Sequence, residues 1–149
     1  MSLSSYLTPE RVKILDGRSK AEVLEELISL SHRCFPHVDA GVLREAIAHR
    51  ETLMSTGIGQ GLAVPHARLA GVTEPLVVVG ISKDGVAGYE SLDGEPVHVV
   101  LLIVAGKGQH EPYLRLLAAT VNVLKDPATR RRVIECLTGE EVFGVLTGE

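Results

Sequence analysis

The chain has 149 residues, of which 45% are hydrophobic and 23% charged, and its net charge is −4. These are the proportions of an ordinary soluble domain, long enough to bury a core without metal or disulfide staples. The negative balance argues against nonspecific binding to nucleic acid, and no apolar run approaches the ~20 residues that a membrane span requires.

Two cysteines, Cys34 and Cys136, are too few and too far apart for a disulfide framework. Ser, Thr, Pro and Glu break the N-terminal region before any signal-peptide core can form, so a reducing cytoplasm is the expected location. One domain over 1–149 is the default for this length.

Ser19-Lys20-Ala21-Glu22 is a capping box, and Val23, Leu24, Leu27 and Ile28 follow it on one face, which predicts a helix over 19–32. Pro36 ends that region. Asp39 caps a second helix, with Val42, Leu43, Ala46 and Ile47 expected to face the core. The chain then changes character. Thr56-Gly57-Ile58-Gly59-Gln60-Gly61 reads as a glycine-rich loop, and Leu62-Ala63-Val64 as a short strand stopping at Pro65. Residues 76–81 and 97–104 are nearly continuous β-branched or leucine runs, which suits strands covered on both faces. The last third is helical: Pro112 is expected at a first helical position, Asp126-Pro127 opens another helix, and Thr138 caps a short last one. The expected architecture is an α/β single layered domain, a small mixed sheet flanked by helices on both faces.

The chemistry lies between Arg50 and Ala67. A histidine just past a strand end, held by Pro65, presents its imidazole at the sheet edge, and neutral imidazole is a nucleophile near physiological pH. Glycines let backbone N–H groups approach an anion, which makes Thr56, Gly57, Gly59, Gln60 and Gly61 candidate phosphate binders beside His66. Taken alone, the same glycines could merely shape a tight loop. Arg50 would add a fixed charge and a planar donor fork suited to phosphate oxygens. No Gly-Lys-Ser/Thr is present, which disfavours a nucleotide-binding loop.

The run Arg-Glu, then Ser-Thr-Gly-Ile-Gly-x-Gly-x-Ala-x-Pro-His-Ala, resembles the enzyme IIA (EIIA) domain of the fructose, mannitol and nitrogen-regulatory type. That family belongs to the bacterial phosphoenolpyruvate-dependent phosphotransferase system. The likeness extends from Leu7-Thr8-Pro9-Glu10 through Leu92-Asp93-Gly94-Glu95-Pro96-Val97 to the C-terminal helices. It implies that His66 takes a phosphoryl group from an HPr-like phosphocarrier and passes it to an EIIB domain, or keeps it as a mark read by a regulatory target. No cofactor or metal is implied.

The family places a second histidine at the start of His-Leu-x-x-Leu-Ala. This chain reads Tyr113-Leu114-Arg115-Leu116-Leu117-Ala118 there, so Tyr113 fills the slot and His110 lies three residues earlier. Either is a candidate to assist His66. His98, inside an apolar run, is expected to serve a satisfied core or strand-edge role rather than chemistry. His32, Cys34 and His37 lack the paired spacings of a zinc site, and the Arg130-Arg131-Arg132 cluster reads as a solvated helix face.

Overall fold

The computed structural model describes residues 3–148; residues 1, 2 and 149, which the expected domain includes, lie outside the described residues. Two 3-10 turns lead into β1 (Val12–Ile14), α1 (Lys20–Cys34) and α2 (Ala40–Leu53). The middle of the chain forms β2 (Gly57–Gly59), β3 (Leu62–Ala63), β4 (His66–Leu69), β5 (Leu76–Ile81) and β6 (Val99–Gly106). Three helices follow, α3 (His110–Leu124), α4 (Pro127–Glu135) and α5 (Gly139–Thr147).

The sheet is mixed and six-stranded, in the order β1-β5-β6-β3-β2 with β4 also on β6. It carries helices on both faces, as the alternation of patterns predicts. β6 lies at its centre and is buried along all eight residues. Val100, Leu102 and Val104 of β6 pack with Val23 and Leu27 of α1 and Leu43 and Ile47 of α2. Leu101 and Ile103 point the other way, to Leu116 and Leu124 of α3, Val133 of α4 and Val142 of α5. Each such side chain contributes about 1.5–3 kcal/mol by leaving water. Burial on both faces is why the strand is apolar throughout rather than alternating.

One edge of β6 is taken by antiparallel β5. Along the other edge β3 and β4 run parallel to β6, one after the other: Leu62 sits opposite Val99, and His66 opposite Ile103. They are two pieces of one strand, interrupted at residues 64–65. Pro65 has no N–H for the ladder, yet its carbonyl accepts from Ile103 N at 3.0 Å. The strand therefore resumes immediately. His66 lies just past the end of β3, as expected from Pro65, and it also opens β4, a strand that expectation did not include.

Helix starts follow their caps. Ser19 accepts from Glu22 N at 3.2 Å while the Glu22 carboxylate accepts from Ser19 N at 3.0 Å. Asp39, Asp126 and Thr138 cap α2, α4 and α5. Two expectations need correction. Val42 is 52% exposed, because the buried stripe of α2 centres on Leu43 and Ile47, and each neighbouring residue sits about 100° further round. The other concerns α3, which begins at His110 with Gln109 as N-cap, so Pro112 is its third residue. A missing N–H there is harmless, since the first turn has no intrahelical acceptor for it. Among the described residues, no helix is long and apolar enough to cross a membrane.

Candidate active site

Side chains alternate along β4. Ala67 and Leu69 join the layer beneath α1 and α2, so His66 and Arg68 face the opposite way, toward α3. His66 is half-buried, and its Nδ1 lies 3.0 Å from the Val64 carbonyl. A carbonyl only accepts, so Nδ1 carries the proton and Nε2 carries the lone pair. Burial pushes the imidazole below its ordinary 6.5; the Arg50 and Arg68 charges push the same way, while the Val64 carbonyl and Glu51 oppose them. The outcome is a neutral ring with a free nucleophilic nitrogen, in the field of two guanidinium groups.

Tyr113 lies against this ring, the centroids 5.0 Å apart and the planes 37° from each other. The Arg68 guanidinium stands 5.9 Å from the Tyr113 ring centroid. Its Nη2 is 2.7 Å from His110 Nδ1, and since arginine only donates, His110 accepts there. Burial raises the Tyr113 phenol, which keeps it protonated. Of the two residues expected to assist, Tyr113 touches His66, and exposed His110 reaches the site through Arg68. Arg50 is half-buried near the end of α2, where its Nη1 donates to the Met54 carbonyl at 2.8 Å.

Arg68 is absent from the sequence-based candidates. Its signal was the two-residue alternation from His66, concealed by reading Pro65 as the end of a strand.

The glycine-rich run does not assemble around His66 as a cradle. β2 and β3 form a hairpin whose turn, with Gln60 at φ 57°, lies at the Val99 end of β6. His66 pairs four residues further along, roughly 13 Å away at 3.3 Å per residue. Gly59, Gln60 and Gly61 therefore stand apart from the imidazole. Their turn does bind an anion, but an internal one: Gln60 N donates to Asp93 Oδ2 at 2.8 Å, and Glu95 N to Asp93 Oδ1 at 3.0 Å. Those N–H groups hold the Asp93 carboxyl below the usual carboxylate range. Gly57 lacks a side chain because the Glu90 carbonyl occupies the space a Cβ would fill. Thr56 is nearer to His66, its carbonyl accepting from Val64 N at 3.0 Å, but its hydroxyl turns inward to Glu51 and Tyr89.

His98 precedes β6 and turns Nδ1 to the Ser82 carbonyl at 2.8 Å. Within the basic cluster, Arg131 and Arg132 are exposed, while Arg130 Nη1 donates to Leu124 and Lys125 carbonyls at the end of α3.

Residues 5–148 match the family described as phosphoenolpyruvate-dependent sugar phosphotransferase system, EIIA 2. The chain is 33% identical over 147 residues to the PTS system fructose-specific EIIABC component of Bacillus subtilis, covering 98% of this chain and 23% of that protein. It thus spans less than a quarter of that relative's length. It is also 33% identical over 145 residues to a nitrogen regulatory protein of Pseudomonas aeruginosa, covering 97% of this chain and 94% of that one. The crystal structure of nitrogen regulatory protein IIA-Ntr from Neisseria meningitidis superposes with a TM-score of 0.84 at 26% identity, over 97% of this chain and 99% of that one. The fold, and a match that runs almost from end to end, agree: the chain belongs to the EIIA type 2 family of the phosphoenolpyruvate-dependent sugar phosphotransferase system.

Proposed function

We propose that this chain is a phosphoryl carrier that accepts a phosphoryl group on His66 Nε2 from the phosphohistidine of an HPr-like carrier and yields it to an EIIB component. The observation that carries this reading is the hydrogen bond from His66 Nδ1 to the Val64 carbonyl. It leaves one nitrogen free, beside two fixed cations. In the transfer, the Nε2 lone pair forms the new N–P bond as the donor's N–P bond breaks, and the donor imidazole leaves with that electron pair. The proton stays on Nδ1, hydrogen-bonded to the Val64 carbonyl, and that carbonyl stabilises the positive charge the ring gains. Arg50 and Arg68 face the oxygens of the moving group, and phosphoryl transfer needs mainly such positioning and charge stabilisation. Tyr113 buttresses the ring. Such a carrier works in the cytoplasm, which suits the two unpaired thiols.

A second reading is a free-standing regulator that signals by phosphorylation-dependent partner binding. The near-complete coverage of the Pseudomonas aeruginosa nitrogen regulatory protein favours it. Charge added at His66 would then shift a partner equilibrium.

Both readings need phosphorylation. Incubation with phosphoenolpyruvate, enzyme I and HPr should produce an acid-labile, alkali-stable label that is absent from His66→Ala. No label, or an unchanged label in the variant, would end both.

A further inference from the structure

Four side chains from separate segments meet behind the end of α2. The side chain of Glu51 is only 8% exposed, and Lys20 Nζ of α1 lies 2.7 Å from its Oε1. Thr56 Oγ1 donates to Glu51 Oε2 at 2.7 Å, and Tyr89 Oη lies 2.6 Å from the same Thr56 hydroxyl. Lys20 Nζ also sits 4.6 Å from the Tyr89 ring centroid. Thr56 and Tyr89 are both buried.

The order of protons in this group follows from chemistry. A carboxylate cannot donate, so the Thr56 proton points to Glu51, and the Tyr89 hydroxyl must donate to Thr56. Burial raises the Tyr89 phenol strongly, which keeps that donor protonated. Hydrogen bonds aligned in one direction reinforce each other in a buried site.

The backbone of Thr56 and Val64 connects this group to the imidazole. The Thr56 carbonyl accepts from Val64 N at 3.0 Å, and the Val64 carbonyl accepts from His66 Nδ1 at 3.0 Å. We propose that Glu51 is a positioning residue for His66, acting through Thr56 and Val64 to hold the proton on Nδ1 and Nε2 outward. This rests on the carrier reading for its purpose, though not for its geometry. An ion pair that merely tied α1 to α2 would stabilise the fold and leave the imidazole tautomer alone.

The test uses the full chain with 15N-labelled histidine. Long-range 15N–1H correlations report which nitrogen of His66 bears the proton, alongside the initial rate of phosphoryl uptake. Thr56→Val keeps the side-chain shape and removes the hydroxyl; Glu51→Gln keeps the shape and removes the charge. Expected are a shift of His66 toward the Nε2–H tautomer in both, with uptake slowed about tenfold. Folded variants that retain the wild-type Nδ1–H signature and rate would overturn the proposal. If Glu51→Gln does not fold, Thr56→Val decides alone. A wild-type chain that takes up no phosphoryl group would end the carrier reading, and the tautomer signature would still uphold or overturn the positioning.

Discussion

His66 and His98 each stand at the start of a run paired in the sheet, each is half-buried, and each turns Nδ1 to a backbone carbonyl, of Val64 and Ser82 respectively. Their surroundings differ. His66 has the Tyr113 ring beside it and the charges of Arg50 and Arg68 acting on it. His98 lies near Pro96 and Gly85, and the arginine lining its recess, Arg130, is engaged with the last carbonyls of α3. A carbonyl contact therefore makes a defined tautomer, and nothing more. The charges of Arg50 and Arg68 acting on the ring, together with Tyr113, are what distinguish the surroundings of His66 from those of His98.

The sharpest way to break this comparison is to exchange the two rings for glutamine. His66→Gln should reduce phosphoryl uptake to background, and His98→Gln should leave it unchanged; equal losses would show that the surroundings do not matter. Removing the cations comes next. Arg50→Ala and Arg68→Ala should each slow uptake by about a hundredfold, measured as initial rate with saturating donor.

The same two variants should move the pH profile. His66 has its folded pKa below 6.5, so the neutral ring persists as pH falls past that value, and uptake declines only at lower pH. Without Arg68 one repulsion disappears, and the decline should move to higher pH. Stability shifts in the matching sense. The unfolded chain binds this proton first, so the contribution is full above 6.5 and is lost as pH falls through the lowered folded value. Denaturant midpoints across that window should be flatter in His66→Gln.

The smallest effects on uptake belong far from the pair. Thr138→Ala removes the α5 cap, whose Oγ1 accepts from Glu141 N at 3.1 Å, and should cost about 1 kcal/mol of stability with the rate intact. Asp93→Asn loosens the hairpin turn and should also leave uptake unchanged, since that turn lies at the far end of β6 from the His66 register.

Features carried by local chemistry were legible in the sequence. The Ser19 capping box, the Asp39, Asp126 and Thr138 caps and the doubly buried runs of β5 and β6 each announce themselves within a few residues. The second-histidine slot likewise pointed to Tyr113, which the structure sets against His66. What escaped depends on pairing at a distance. β1 has three residues and exists through its register with β5, and β4 follows a proline that normally closes a strand. Missing β4 concealed Arg68. The glycines misled for another reason: a residue without a side chain signals close approach but not of what, and here the neighbours are the Glu90 carbonyl and the Asp93 carboxylate. An assignment drawn from composition alone cannot separate an external anion from an internal one.

The hydrogen bond from His66 to Val64 has a kinetic consequence. In the proposed carrier, with one ring nitrogen occupied, donor and acceptor would use the same remaining nitrogen and therefore take turns. Transfer would follow a double-displacement order, with parallel lines in reciprocal plots when donor and acceptor are varied together. Excess unphosphorylated acceptor should compete with the donor, so the chain would act as a relay whose throughput depends on the ratio of its partners as much as on their amounts.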